Sequence, residues 1–425
     1  MPLEDWLRSA LPTTACAAAL ISAGCDTPGG SDGFEITQAR SDRTSCHAGE
    51  QGTLCGGASA PAVAASRDGS EYAVLWDGHY ARDQRELYGR RFDAKTGDPR
   101  SEERVVLTGL VDRVTRMTAA IPHPAADGYL VVAAGYPSSS LAPWRVLSLG
   151  PRLDLRQDRR LSATPGGILA ALVANRPRHE ALLIETSLPQ RPPEMTSSGH
   201  GIRALRIGGD GRTVRERRIG VSDWEQGFAA GVSAAHVPAR GEYLIARLTL
   251  GGGVERLDVA GLGDELDTLR VAGAPAVRGT PFDVAIAHAA ASGRTLLAWA
   301  EWQPDRSRRV MGAWLAADGV PGPPFAISDD VADGNADGIG LQAEAVGRDF
   351  FLSWGDGTSS GERRHERVTA TRPGSEPTRV SYEKSGGEST DSAVATSPLG
   401  THLSVWTEGL RDLDGRKLRG KLGEL

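Results

Sequence analysis

Short apolar runs recur along the chain, and four of them end in tryptophan: "YAVLW" at Trp76, "TLLAW" at Trp299, "FFLSW" at Trp354 and "HLSVW" at Trp406. The last three lie 55 and 52 residues apart, and the gap of 223 residues before Trp299 has room for four more periods of that length. "YLVVAAG", "ALLIE" and "YLIAR" fill the gap without a tryptophan. Each run is about five residues long, the length of a buried strand.

An alanine-rich segment precedes every run, as in "PAVAAS", "FDVAIAHAA" and "DSAVATS". Small side chains suit a strand crowded near an axis. A third strand follows after a polar loop ("ELYGRRFD", "WRVLSLG", "IRALRIGG"). A short fourth ends in an apolar residue plus serine at 159–162, 219–222, 325–328 and 378–381. Four antiparallel strands per repeat, seven times over, predict an all-β chain folded as one seven-bladed β-propeller. Because repeats 2 to 4 lack the tryptophan, six and eight blades stay open as neighbouring counts. The repeat resembles those of bacterial secreted and lipoprotein β-propellers, with "YAVLWDGHYARDQRELYGRRFDAKTGD" the best match. That resemblance spans most of residues 58–425 and implies a fold rather than an activity.

The seventh repeat stops after three strands, near 391–396, 402–406 and 416–421. "FEIT", Phe34–Thr37, has the same apolar-plus-hydroxyl ending as "FAIS". The amino-terminal strand, placed at 34–38, is therefore expected to complete the last blade and close the ring, with a plain tether as the other reading. Closure removes edges that would otherwise invite aggregation.

Upstream, "ALPTTACAAALISAGC" is an apolar run too short to span a bilayer, which reads as an export signal over 1–24. Ile21-Ser22-Ala23-Gly24-Cys25 resembles a bacterial lipobox, although Ser22 stands where leucine is usual. That resemblance implies lipidation of Cys25, a tether over 25–33 and a propeller over 34–425, anchored at the periplasmic side or the cell surface. A conventionally cleaved start is the alternative. Cys16 leaves with the signal, so Cys46 and Cys55 remain as one pair in an exported chain and are expected to form a disulfide. A metal site using them and His47 would be an incomplete set.

Of 48 basic residues only Lys95, Lys384, Lys417 and Lys421 are lysine, an arginine bias that reads as genome base composition. A net charge of −6 without a basic stripe argues against nucleic acid. The loops between second and third strands are the long ones, and long loops on a rigid scaffold are where binding usually sits. They carry Tyr80, Tyr136, Trp302, Arg363, Arg364 and His365, groups suited to an envelope protein or a glycan, or else merely solvated.

The sharpest local motif is "DGNADGIGLQAE" at 333–344. Asp333, Asn335 and Asp337 followed by Gly338 give D-x-N-x-D-G spacing, and Glu344 falls twelfth, a pattern whose oxygens converge on calcium. An Asp/Asn/Gly turn between blades is the competing reading. His123, His236 and His288 near the ends of three inner strands are a candidate transition-metal set, or simply hydrogen-bonded histidines. "SRDG" at Ser66–Gly69 is similar to the Asp-box of sialidase propellers with its glycine one place early. No G-x-S-x-G, H-E-x-x-H or phosphate-loop motif appears. The expectation is a monomeric binding or scaffold module rather than an enzyme, with a glycan hydrolase or lyase as the alternative.

Overall fold

The computed structural model describes residues 34–37, 47–49, 52–54, 57–81, 84–110, 115–135, 144–162, 167–187, 202–219, 228–251, 254–304, 307–328, 340–355, 363–368, 379–385, 392–408 and 417–424. They form seven four-stranded antiparallel sheets and one two-stranded ribbon, a β-propeller. From first (inner) to fourth (outer) strand, blade 1 is Gly57–Ala65, Glu71–Ala81, Gln84–Asp93 and Arg104–Leu110. Blade 2 is Thr115–Pro122, Tyr129–Gly135, Trp144–Leu149 and Leu155–Leu161; blade 3 is Gly167–Asn175, Glu180–Ser187, Ile202–Gly208 and Thr213–Ile219. Blade 4 is Phe228–Val237, Glu242–Gly251, Val254–Gly263 and Leu269–Gly273; blade 5 is Thr280–Ala289, Arg294–Trp302, Arg308–Leu315 and Phe325–Ala326. Blade 6 is Gln342–Val346, Asp349–Gly355, Arg363–Val368 and Arg379–Ser385. Blade 7 is Ser392–Ser397, Thr401–Glu408 and Lys417–Glu424, completed by Phe34–Glu35.

Each inner strand packs on the next around the ring, and Ser392–Ser397 meets Gly57–Ala65 to close it. Alanine at Ala64, Ala235, Ala287 and Ala395 keeps these strands close, as the crowding near the axis requires. Much of the buried contact between blades is apolar. One buried cluster joins blades 7 and 1 through Tyr72, Trp76, Leu403 and Val405; a second joins blades 4 and 5 through Leu248, Leu257, Leu297 and Trp299. Trp76, Trp299, Trp354 and Trp406 are all 1% exposed or less. Each hides about 200 Å², roughly 5 kcal/mol of transfer free energy at the usual coefficient.

The amino-terminal strand is where the sequence placed it, although its ladder covers only Phe34↔Gly420 and Glu35↔Arg419. Ile36 extends the contact by donating its N–H to the Leu418 carbonyl at 2.9 Å. Gly420 gives room for this packing: a β-carbon on it would stand 2.8 Å from the Ile36 side-chain end and 3.1 Å from the Phe34 ring, so both would have to shift. Arg90 of blade 1 donates to the Ile36 carbonyl at 2.9 Å, so the strand is tied to blade 1 as well as to its own blade 7.

The outer strands depart from the expectation at 159–162 and 219–222, running instead over Leu155–Leu161 and Thr213–Ile219. Only the terminal Leu161 and Ile219 are buried; most of the preceding residues are exposed. An edge strand solvated along its length carries no apolar alternation to read. Arginine also has structural work. Arg104 donates to the Arg152 carbonyl and Arg217 to the Leu266 carbonyl, each at 3.0 Å, clasping one blade to a turn of the next. The ribbon pairs His47–Gly49 with Gly52–Leu54. Cys46 and Cys55, which flank it in sequence, lie outside the described residues, as do Cys16 and Cys25.

Candidate functional site

Antiparallel order sets two faces. The tight turns between first and second strands lie on one face and the connections between second and third strands on the other. Contrary to the sequence expectation these connections are not all long. Blades 1 and 4 join Ala81 to Gln84 and Gly251 to Val254 through two residues each, where the strands continue into the segment read as loop. "SRDG" belongs to the tight face. Asp68 accepts from the Ser66 hydroxyl at 2.6 Å and the Ser70 N–H at 3.1 Å, and Gly69 has φ 76°. These bonds hold the Asp68 carboxyl below its ordinary value, the Ser66 bond most. The motif is a self-satisfied turn.

On the loop-bearing face, Tyr136, Asp333, Asn335 and Asp337 lie outside the described residues. Tyr80 ends the second strand of blade 1, and Arg363, Arg364 and His365 open the third strand of blade 6, paired with Gly355, Trp354 and Ser353. Only the backbone of these four is described. Trp302 is half-buried, but the Arg308 guanidinium stacks 4.2 Å from its ring centre and Phe282 stands 5.4 Å away. Its ring is engaged within the protein.

Glu344 is in the inner strand of blade 6, opposite Phe351. The corresponding positions of the other inner strands are Ala64, Ile121, Val173, Ala235, Ala287 and Ala395. A carboxylate thus stands in blade 6 where the other inner strands carry an apolar residue. The residue is exposed, and the protein packed around its carboxyl raises it, by desolvation, to about 7.

The three histidines do not converge. His123 Nε2 meets the Gly209 carbonyl at 3.0 Å, His236 Nε2 meets Asp264 Oδ1 at 3.0 Å, and His288 Nδ1 meets Thr295 Oγ1 at 2.9 Å. Burial holds all three below the ordinary histidine value. Among the described residues no three of His, Cys, Asp and Glu are grouped to hold a metal.

The most informative position is the one occupied by the tryptophans. In register with Trp76, Trp299, Trp354 and Trp406 stand Ala133 in blade 2, Glu185 in blade 3 and Arg247 in blade 4. Glu185 is 1% exposed and Arg247 5%, so both charges sit as deep as the tryptophans. Glu185 accepts from Arg203 Nη1 at 3.0 Å, and Arg203 also holds Glu216 through two bonds of 2.9 and 3.0 Å and the Ser162 carbonyl at 2.6 Å. That network is hydrogen-bonded throughout. Arg247 faces Asp258 across the ladder at 3.6 Å, longer than a hydrogen bond. Both pairs occupy the loop-bearing half of their blades. A buried ion pair seldom stabilises more than the apolar residues it replaces, and swapping one for packed hydrophobics is often neutral or stabilising by about 1–4 kcal/mol. Charges retained at a core position in two neighbouring blades therefore mark a candidate site. Sequence reasoning saw that repeats 2 to 4 lack the tryptophan and missed what stands in its place; aligning the runs on Tyr72, Ala181 and Tyr243 would have found it.

No protein-family model and no curated protein matches the chain. Among solved structures it is similar to the BP39L lectin of Burkholderia pseudomallei, with TM-score 0.57, 11% identity, and 86% of this chain and 96% of that one covered. The WD40 domain of Toxoplasma gondii coronin matches with TM-score 0.47 and 10% identity over 85% of this chain and 79% of that one. A Trypanosoma rangeli sialidase matches with TM-score 0.46 and 10% identity over 92% of this chain and 58% of that one. At such identities the likeness is one of fold.

Proposed function

We propose that the protein is an exported binding module of the cell envelope whose working surface is the loop-bearing face. The observation that carries this reading is the pair of buried charge clusters, Glu185–Arg203–Glu216 and Arg247–Asp258, at the tryptophan position of blades 3 and 4. Both lie toward the face that carries the second-to-third-strand connections, of which that of blade 3 is long, from Ser187 to Ile202. A fold that resembles a lectin propeller is compatible with a glycan as ligand and does not require one.

The address rests on the amino-terminal sequence. Lipidation of Cys25 would leave Asp26–Gly33 as tether, and eight residues reach at most about 28 Å. The propeller then rides close to the membrane, attached through the lipid alone, with its cysteine pair Cys46–Cys55 oxidised. Mass spectrometry of the mature protein tests this: a lipidated Cys25 and a mass lighter by two hydrogens without reductant are expected. An unmodified terminus at another residue contradicts the anchor.

The binding role is tested by probing glycan and peptide arrays with residues 26–425. Saturable binding weakened by substitution of Tyr136 and Arg364 supports it, and slow cleavage of a bound glycan would instead favour a hydrolase or lyase.

A further inference from the structure

We propose that the face of tight turns lies against the lipid surface at blades 6, 7 and 1, with Leu399 entering the headgroup layer between Arg67 and Arg348. The loop-bearing face then points away from the membrane. The proposal rests on the lipid anchor at Cys25 and adds to it an orientation and a contact surface.

The direction of the closing strand sets the orientation. The third strand of blade 7 ends at Glu424, which pairs with Thr401 just beyond the tight turn 398–400. Its first residue, Lys417, pairs with Glu408 at the loop-bearing end. Phe34 pairs with Gly420 and Glu35 with Arg419, and the Ile36 N–H donates to the Leu418 carbonyl. The amino-terminal strand therefore runs from the tight-turn end toward the loops, and the chain reaches Phe34 from the face of tight turns. Gly420 lies four residues short of Glu424, about 13 Å of strand. A tether of at most about 28 Å thus extends no more than about 15 Å past that face.

What that face presents near the tether fits a lipid surface. Leu399 is 63% exposed, more than any other large apolar residue described, and it sits on the tight turn of blade 7, the blade that the tether enters. Arg348 stands on the equivalent turn of blade 6 and Arg67 on that of blade 1. Both are exposed and, among the described residues, in no ion pair. The turns of blades 7 and 1 are fixed to each other, since the Ser397 hydroxyl donates to the Gly69 carbonyl at 2.7 Å. Asp68, the acid on these turns, is occupied by the Ser66 and Ser70 hydroxyls at 2.6 and 2.9 Å. A leucine tip flanked by guanidiniums matches the membrane interface: the apolar tip enters the boundary of headgroups and acyl chains, and the arginines pair with lipid phosphates.

Quenching by nitroxide-headgroup lipids tests this on the full mature lipidated chain in phosphatidylethanolamine–phosphatidylglycerol vesicles. Leu399→Cys carries an environment-sensitive dye on the face of tight turns. Ser162→Cys carries it on the loop-bearing face, where Ser162 is exposed at the end of the outer strand of blade 2. The chain without an added cysteine is the labelling blank. The dye at 399 should be quenched about threefold or more relative to 162, since interfacial apolar groups lie about 5–10 Å into the boundary. Arg67→Glu with Arg348→Glu should roughly halve the quenching at 399 without lowering the melting temperature, both positions being exposed. Unchanged quenching in that double variant overturns the arginine contacts. Equal quenching at the two sites, or more at 162, in a chain that sediments with the vesicles overturns the orientation and leaves the anchor standing. A chain that stays in the supernatant overturns the anchor and this contact with it.

Discussion

The ring of Phe34, near the amino terminus, lies 5.3 Å from the ring of Phe92 in blade 1, while its backbone pairs with Gly420 in blade 7. One residue therefore touches both sides of the seam where the circle closes. The pairing joins segments nearly 400 residues apart, so it carries a loop-closure cost that local turns do not. Deleting residues 26–40 should lower the melting temperature of the whole domain and expose the third strand of blade 7 as an edge, with aggregation on heating. Phe34→Ala should cost about 2–4 kcal/mol, and Gly420→Ala about 1–3 kcal/mol through the clash with Ile36. Deleting 26–32 alone should leave the denaturation midpoint unchanged.

Substitutions at the tryptophan position should divide by blade. Trp76→Ala and Trp299→Ala remove fully buried rings and are expected to cost about 3–5 kcal/mol each in urea denaturation. The double substitution Arg247→Met with Asp258→Leu should be neutral or stabilising, whereas Asp258→Leu alone should destabilise by about 3 kcal/mol because it removes a counter-charge that faces the buried Arg247.

Two groups shifted by desolvation, the buried His402 and the exposed Glu344, set opposing pH dependences. Burial pulls His402 down to about 4, so the folded state binds its proton less readily than the unfolded chain; this contribution is present above about pH 6.5 and lost as pH falls toward 4. Glu344 is the reverse, raised to about 7, so its contribution is present below about pH 4.5 and lost as pH rises through 7. Thermal melts from pH 4 to 8 should show Glu344→Gln losing the decline on the alkaline side. His402→Gln should lose the decline on the acid side. A variant with the wild-type profile would disprove the corresponding assignment.

If 333–344 binds calcium, removal by EDTA should lower the melting temperature, and Asp333→Ala and Asp337→Ala should abolish that difference, because a ligand bound only to the folded state stabilises by mass action. An EDTA melt identical to the calcium melt would leave the segment as a turn between blades.

Inner and second strands were legible because neighbouring blades bury both of their sides: "YAVLW" and "TLLAW" read as strands by composition alone. The outer strand of blade 3, "TVRERRI", was not, since solvent reaches most of it and only Ile219 reports a core. The closing strand was legible from a shortage, the missing fourth strand of repeat 7. The candidate site was not. Glu185 and Arg247 look like surface charges in a linear reading, and only register places them beside the tryptophans. The arginine bias concealed structural roles in the same way, because Arg90, Arg104 and Arg217 reach backbone carbonyls far away in sequence.

The claim that the loop-bearing face is the working surface is tested most directly by measuring ligand affinity across two panels of variants. Tyr136→Ala and Arg364→Ala represent that face; Arg67→Ala, Arg152→Ala and Leu399→Ala represent the face of tight turns, where Leu399 is 63% exposed. The account predicts that the first panel weakens binding about 10-fold or more, with unchanged melting temperatures, and that the second leaves it within about twofold. Loss of binding in the second panel with retention in the first would contradict it.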